Sequence, residues 1–450
     1  LIASTISSAG PNGPVNAAIW AAGFSASRVS LAHNIQNVEG NMRLKGSGIV
    51  AVFLSMLLIG GLAAASVVAA ADTIKLGFVA DVSGIGATFY KSQKAALDMF
   101  IEETNAAGGI LGKKLELVVR DAQLKPDIGA NMARELILSE KCDFLIGPTS
   151  SAVALAVTKV SKEFKKIVYF HTSNTEELTT TAFQPYMFQV VPNTGIEGRG
   201  MALVLSQKPY KKYSLIGPDY AYGHDNLKAF KEAMAKDKPD AEIVETVWVK
   251  IGESNMSPFI PTLMAKKPDA IYSAFWGGQL SSFVKQGKPY GVFKQAAFSS
   301  LFDLDFLRVT GADMPEGLTG YARCPFYAVD TPQMKAFSKK YFDKYKEWPA
   351  DWALMAYDGM IALTEAIKKA NSVDSEQVVK VLGGLKFKSL RGDRYIRAED
   401  HMANVGIYVG VTTKDPNYKE FLIMKDVKEV PAEKVWLPVE EVKKLQAEKK

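Results

Sequence analysis

From residue 73 onward the apolar positions fall into two alternating rhythms. Short β-rich runs stand at Thr73–Ala80, Leu115–Val119, Asp143–Gly147 and Lys166–Phe170, with stretches of helical spacing between them. In Lys91–Asn105, Ala96, Phe100 and Thr104 share a face with Leu97 and Ile101 beside them, and Gly108-Gly109 supplies a stop. Asp127 is placed to cap a helix carrying Ile128, Met132, Leu136 and Ile137; Ser150 or Ser151 opens another over Ala152–Val157. A second set begins after Val191-Pro192. Its strands are predicted at Tyr213–Gly217, Glu242–Lys250, Asp269–Phe275 and Ala296–Ser299, and its helices at Gly195–Gln207, His224–Lys236, Ser257–Lys266 and Gln279–Gln286. A strand at Gly317–Arg323 follows, then helices at Thr331–Lys346, Asp351–Ala370 and Ser375–Leu382. The tail changes character, with strands of antiparallel style at Asp393–Arg397, Gly406–Val411 and Tyr418–Met424. This βαβα order predicts an α/β fold of parallel sheets with helices on both faces. No low-complexity linker separates the two sets, which points to short crossovers.

A chain of 450 residues exceeds what one compact core holds, so two lobes are expected. Residues 1–71 hold three of the 54 Lys and Arg and one of the 48 Asp and Glu, leaving the rest mildly basic with the charge spread along it. No basic block suits nucleic acid. The two cysteines, Cys142 and Cys324, read as small buried hydrophobes, and with four His and no Cys-x-x-Cys or His-Glu-x-x-His, neither a zinc site nor thiol redox chemistry is expected. No metal or cofactor is implied.

The front end reads as a targeting signal. Met42-Arg-Leu-Lys45 is a positive n-region, Gly48 to Val68 is almost wholly apolar, and Ala69-Ala70-Ala71 offers small residues for cleavage before Asp72. The run is also long enough for an uncleaved anchor, but Gly60-Gly61 and its Ala-rich end favour cleavage. Residues 42–71 are therefore expected to be a signal peptide and the mature chain periplasmic. Residues 1–41 have no usable periodicity and are expected to be an upstream artefact or disordered.

Ligands of open α/β sheets bind beyond the carboxyl ends of the strands. Here those positions read Asp81–Tyr90, Pro148–Ser151, His171–Asn174, Pro218–Tyr222, Trp276–Gly278 and Ser299–Asp303. Hydroxyls crowd the loops of the first set and aromatics those of the second. Hydroxyls beside a helix N-terminus suit a carboxylate, and aromatic faces bury an apolar or cationic body. Taken singly, each serine fits a helix cap and each aromatic fits rim packing equally well. Enzyme motifs fail: Gly84-Ile-Gly86 lacks the third glycine of a dinucleotide loop, Gly108–Lys113 is no P-loop, and no Gly-x-Ser-x-Gly occurs. His171 and His224 lie at strand ends without a placed nucleophile, so rim contacts suit them better than base catalysis.

Asn105–Gly112 followed by Leu115–Asp121, the loop Ile146–Ser151, Thr172-Ser-Asn174 with Glu177-Leu-Thr179, Tyr222-Gly223 and Ile396–His401 together resemble the extracellular solute-binding proteins of branched-chain amino acid ABC importers. That family is similar to type I periplasmic binding proteins: two Rossmann-like lobes, three crossovers and a ligand in the cleft. The resemblance implies one lobe from residues 72–191 plus 322–390 and the other from 192–321 plus 391–450. Crossovers would lie near Val190–Pro192, Tyr321–Arg323 and Leu390–Arg397. It implies that Ser150 and Ser151 hold a ligand carboxylate, with Ser173 and Asn174 adding polar contacts. Phe89, with Tyr90 beside it, Tyr222 and Trp276 would supply the aromatic walls. It further implies a monomeric, non-enzymatic receptor that closes on a small solute and delivers it to membrane permease subunits.

One position departs from the family. Amino acid binders carry an acidic residue where this chain reads Ser299-Ser300-Leu301. An ammonium buried without that partner is costly. Asp303 is the nearest substitute, although it is equally suited to cap the next helix, and Asp219 is a second. The ligand is thus either a branched-chain or related amino acid, or an aromatic acid or amide without an α-amine. A sensory receptor and, less favoured, a secreted hydrolase are the remaining alternatives.

Overall fold

The computed structural model describes residues 73–448, so residues 1–41 and the expected signal segment 42–71 lie outside the described residues. In chain order the elements are β1 (Thr73–Ala80), α1 (Ala87–Ala106), β2 (Lys114–Asp121), α2 (Pro126–Leu138), β3 (Phe144–Ile146), α3 (Ser151–Phe164), β4 (Val168–Phe170) and β5 (Met187–Gln189). The second series is α4 (Thr194–Ser206), β6 (Lys212–Pro218), α5 (Ala221–Asp237), β7 (Glu242–Val249), α6 (Phe259–Met264), β8 (Ala270–Ser273), α7 (Gly277–Gly287), α8 (Val292–Gln295), β9 (Ala297–Ser299) and α9 (Leu304–Thr310). Then come β10 (Thr319–Ala322), α10 (Pro332–Tyr345), α11 (Asp351–Ala370), α12 (Ser375–Leu382), β11 (Lys386–Ser389), β12 (Gly392–Tyr395), β13 (Ile407–Thr413), β14 (Ile423–Val430) and α13 (Val439–Ala447).

Two parallel sheets follow from this order: β2-β1-β3-β4-β5 and β7-β6-β8-β9. In the first, Phe78 stands opposite both Val119 and Ile146, so the strand ends are level and their loops leave one edge together. The inner strands are apolar throughout because helices cover both faces; Leu76, Phe78, Phe144, Ile146 and Tyr169 are buried. In the second sheet, Tyr213, Leu215, Ile216 and Tyr272 play the same part. A parallel bridge from Leu301 to Tyr321 carries the second sheet into the antiparallel trio β10-β13-β14. A bridge from Gln189 to Met402 lays the segment after β12 beside β5 of the first sheet. The late helices return to the first sheet: α11 is buried on nearly every side, and Gly359 lies so close to Tyr169 that a Cβ there would sit 2.3 Å from the ring.

Local chemistry explains where the elements start. Asn193 caps α4 by accepting the Ile196 N–H at 2.9 Å, and Asp374 caps α12 in the same way. Asp127 does not cap α2. Pro126 takes the first helical position and Lys125 the cap, which moves the start two residues upstream and leaves Asp127 in the first turn, where its charge still favours the helix dipole. The strand expected from Tyr418 begins only at Ile423. Tyr418 instead packs against Phe326, Trp348 and Phe421, a cluster that no period-2 pattern signals. Cys142 and Cys324 are buried free thiols. Among the described residues no helix is long and apolar enough to cross a membrane.

Helices α4 and α5 touch through backbone. A Cβ on Gly198 would sit 2.4 Å from the Asn226 carbonyl oxygen and 2.9 Å from the Phe230 nitrogen. Gly198→Val should therefore lower stability by about 1–3 kcal/mol or more. Urea denaturation checks it: an unchanged midpoint would mean that the two helices can separate freely.

Candidate functional site

The two carboxyl edges meet across an aromatic seam. Phe89, on the first turn of α1, lies 5.5 Å from Trp276 and 5.0 Å from Trp352, centroid to centroid. All three are at most 8% exposed. Gly277 permits the approach: its φ of +51° is a left-handed conformation, and a Cβ there would sit 2.9 Å from Phe89 Cζ. The indole N–H of Trp276 donates to the Tyr220 hydroxyl at 3.0 Å, and Tyr220 stacks beside Tyr222. Tyr90 is not part of this seam; it leans on Phe78 of β1.

Beneath the seam lies a buried ion pair that connects the crossings. Arg323 follows β10 and its Nε donates to Glu197 Oε1 at 2.5 Å; both side chains are at most 3% exposed. The guanidinium sits 4.8 Å from the Trp352 ring centre and 5.8 Å from that of Tyr222. Burial alone would lower the Arg323 pKa, but the Glu197 carboxylate outweighs it and the pKa is raised. Glu197 Oε1 also accepts from Asn174 Nδ2, and Oε2 accepts from the Tyr222 hydroxyl, the Tyr321 hydroxyl and Asn226 Nδ2. Five protein donors therefore converge on one carboxylate, which offers about four lone-pair positions.

The serine loop lies at the start of α3. Ser150 is the N-cap residue by backbone position, yet its hydroxyl makes no capping bond. Ser150 and Ser151 are both 2% exposed. Upstream N–H groups are already occupied: Asp81, at the end of β1, accepts from Thr149 at 3.0 Å and from Leu124 at 2.9 Å. Burial raises the Asp81 pKa, and those backbone bonds oppose the rise. Ser173 is buried with an unpartnered hydroxyl, as are the Thr149 hydroxyl and the Trp352 indole N–H. In a closed interior such groups cost free energy unless something accepts from them.

The remaining sequence candidates are already engaged. Asn174 donates to Pro192 O at 2.8 Å as well as to Glu197, which fastens the first crossing. Asp303 caps α9, accepting the Phe306 N–H at 2.8 Å. Burial, followed by the nearby Asp351 and Asp305 carboxylates, raises its pKa well above the usual range, so its other oxygen carries a proton more readily than a charge. Asp219 pairs at the surface with His224, whose ring lies tilted against Trp248 at 4.1 Å. Ser300 donates to Ser273 O, and Leu301 is in the bridge to Tyr321. His171 is not at the rim: it is fully buried against Phe78 and Tyr169, with both ring nitrogens unpartnered and its pKa pushed down to about 3 by burial. Among the described residues no group of His, Cys, Asp and Glu is arranged to hold a metal ion. A separate cavity of about 690 Å³, lined by Ile361, Phe387, Arg394 and Tyr395, shares no residue with this site.

Glu197, Arg323 and Trp352 were not among the sequence candidates. None lies in a loop at a parallel-strand end: Glu197 is inside the first turn of α4, and Trp352 opens a helix after the second crossing. The available signal was charge in apolar surroundings, Glu197 within Thr194–Met201 and Arg323 within Gly320–Phe326.

Two α/β lobes meeting over a buried aromatic and hydroxyl-rich site define a two-lobed binding protein. The periplasmic binding protein family model matches residues 73–416, and the chain belongs to that family. It is 25% identical over 375 residues to Leu/Ile/Val-binding protein homolog 6 of Brucella abortus, covering 81% of this chain and 93% of that one. A periplasmic binding protein from Burkholderia mallei superposes with a TM-score of 0.75 at 24% identity, covering 82% of this chain and 98% of the other. An ABC transporter solute-binding protein from Rhodopseudomonas palustris, in complex with 3,4-dihydroxybenzoic acid, gives a TM-score of 0.73 at 24% identity, with 80% and 98% covered. The type I periplasmic binding fold anticipated from the residues is thereby borne out.

Breaking the buried pair from one side should be costly. Arg323→Met should destabilise by about 3–5 kcal/mol, because Glu197 is left charged and buried. Arg323→Met combined with Glu197→Gln should recover part of that loss. Denaturant unfolding of the single and double variants checks both statements; a single variant as stable as the parent would show that the pair is solvated.

Proposed function

We propose that this chain is the solute-binding receptor of an ABC importer, exported to the periplasm after removal of residues 42–71. It acts as a monomer without a cofactor. It captures a small aromatic carboxylate by lobe closure and presents it to the membrane permease subunits. Residues 72–191 with 322–390 would move against 192–321 with 391–450. The Ser150–Ser151 end of α3, with the Ser173 hydroxyl, would take the carboxylate; Phe89, Trp276 and Trp352 would enclose the ring. A receptor suits the site better than a hydrolase, since His171 has no hydrogen-bonded partner and His224 pairs at the surface.

The observation that carries the ligand class is the saturation of Glu197. An α-ammonium needs a free acceptor, and Glu197, the buried carboxylate beneath the aromatic seam, already accepts from Arg323, Asn174, Asn226, Tyr222 and Tyr321. Asp303 is capping a helix. Of the unpartnered buried groups, those at Thr149, Ser173 and Trp352 can donate, while Gln189 Oε1 and Asp303 Oδ2 are oxygens, the latter on a carboxyl whose pKa burial raises. Such a lining suits an anion without a cationic end. The benzoate-type ligand of the Rhodopseudomonas palustris protein supports this reading. The name of the Brucella relative supports a second one, a branched-chain amino acid.

Thermal shift and calorimetric titration separate the two. Benzoate and 3,4-dihydroxybenzoate should bind and raise the melting temperature, while leucine and valine at the same concentration should not. Ser151→Ala should weaken acid binding about tenfold or more, as expected for a lost hydrogen bond to a charged group. Trp276→Ala should weaken it by at least as much. Leucine binding more tightly than either acid would reverse the assignment.

A further inference from the structure

Helix α11 and strand β11 lie side by side and are tied to each other at both ends. Asp358 Oδ1 accepts the Leu390 N–H at 2.7 Å, and Lys369 Nζ donates to the Lys386 carbonyl at 3.1 Å. Between these ties the helix advances about 16 Å and the strand about 13 Å, so the two run nearly in step. Their middles do not close. The cavity of about 690 Å³ opens there, bounded by Ile361 and Glu365 of α11 and by Phe387 and Tyr395 of the β11–β12 hairpin. It falls within the range of small-molecule sites, about 300–1,000 Å³. Phe387 is 6% exposed, while Ile361 and Tyr395 are half-buried, so much of the wall is apolar or aromatic.

The charges around that wall do not balance. Glu365 is committed to Lys368 at 3.0 Å. Asp393 stands opposite Lys388 across the hairpin and offsets that one ammonium. Lys386 lines the same space with no carboxylate within ion-pair distance among the described residues, and Lys369 lies at its carbonyl. Arg394 borders the cavity as well. Its Nη1 donates to Asn404 O and its Nη2 to the Tyr408 hydroxyl and Glu429, but its Nε is buried without a partner. A buried donor left in that state costs free energy until something accepts from it. We propose that the space between α11 and the β11–β12 hairpin is a second binding site, for a small organic anion with a flat apolar body and a single carboxylate. The body lies against Ile361, Phe387 and Tyr395, and the carboxylate meets Lys386 and Lys388, both exposed at the mouth. Their alkyl stems cover the ring while the ammoniums stay in water. A cationic solute would meet the uncompensated Lys386 instead, and a neutral one would leave it unmatched.

This second site does not depend on the ligand assigned to the interlobe site and is tested with that site disabled. The probe is 2-naphthoate, and the background is the full chain carrying Ser151→Ala and Trp276→Ala. Calorimetric titration of that variant should show one remaining binding event. Adding Lys386→Glu and Lys388→Glu should weaken it about tenfold or more. The uncharged isostere 2-naphthamide should bind about tenfold more weakly than the acid. Ile361→Trp, which puts a ring into the gap, should abolish binding. Location is read separately, from a thiol introduced by Glu365→Cys, since Cys142 and Cys324 are buried. Its alkylation by iodoacetamide should slow severalfold when 2-naphthoate is present. Should the background variant fold poorly, the same protection is measured in the otherwise unaltered chain. No binding in the folded background variant, no protection of the thiol, or binding indifferent to the charge reversals and to Ile361→Trp would each overturn the second site. Equal affinity for acid and amide would overturn its anionic ligand. An unaltered chain that binds benzoate no better than the Ser151, Trp276 variant would overturn the interlobe assignment and leave the second site standing.

Discussion

The Glu197–Arg323 pair is the constraint on which the arrangement of the two halves depends. Burying two charges costs more than their attraction returns unless every remaining donor and acceptor is satisfied. Here the satisfaction comes from both halves: Asn174 from the first, Asn226, Tyr222 and Tyr321 from the second, and Arg323 from the second crossing. The pair therefore cannot be assembled by either half alone. A second pair repeats the device at the third crossing, where Arg391 donates to Asp358 of α11 at 2.9 Å and to Val190 O at 2.7 Å. Between them, the two arginines connect all three passages of the chain.

This arrangement places the seam as well as the crossings. Arg323 lies over Trp352, Trp352 meets the edge of Phe89, and Phe89 meets Trp276 and the bare backbone of Gly277. The aromatic contacts are individually worth about 0.5–1.5 kcal/mol beyond their buried area. Each is weaker than the buried ion pair beneath them. The proposed lobe closure would need that ordering of strengths: a firm crossing with a weak, dry lip above it.

The fold was legible in the sequence because its signals are local. Strand–helix alternation, the stop at Gly108-Gly109 and the cap at Asp303 each depend on a few neighbouring residues. The strand-end rule named Phe89 and Trp276, whose rings meet at 5.5 Å, and Ser150, Ser151 and Ser173, which are buried at the edge of the first sheet. It could not tell which of those side chains were already in use. Asn174 and Tyr222 look like ligand contacts until Glu197 is seen between them, and Glu197 is 23 residues from the one and 25 from the other. Long-range satisfaction leaves no periodic trace. The same reason hid Trp352, which arrives 263 residues after Phe89, and the tail, whose partners Arg199 and Thr179 lie more than 230 residues upstream.

Selectivity can be argued from the same accounting of donors and acceptors. A loop such as Thr149–Ser151 would offer its hydroxyls to any carboxylate, so it cannot by itself distinguish an amino acid from an acid. Discrimination requires a group that one ligand satisfies and the other leaves unpaired. For an amino acid that group would be a free carboxylate facing the ammonium. The second half places Ser300 and Leu301 in backbone contacts where such a carboxylate would stand, commits Glu197 to five donors, and turns Asp303 into a helix cap. Each choice is ordinary alone. Together they leave no uncommitted carboxylate of Glu197 for an ammonium, which is why the proposed ligand is an acid without an α-amine.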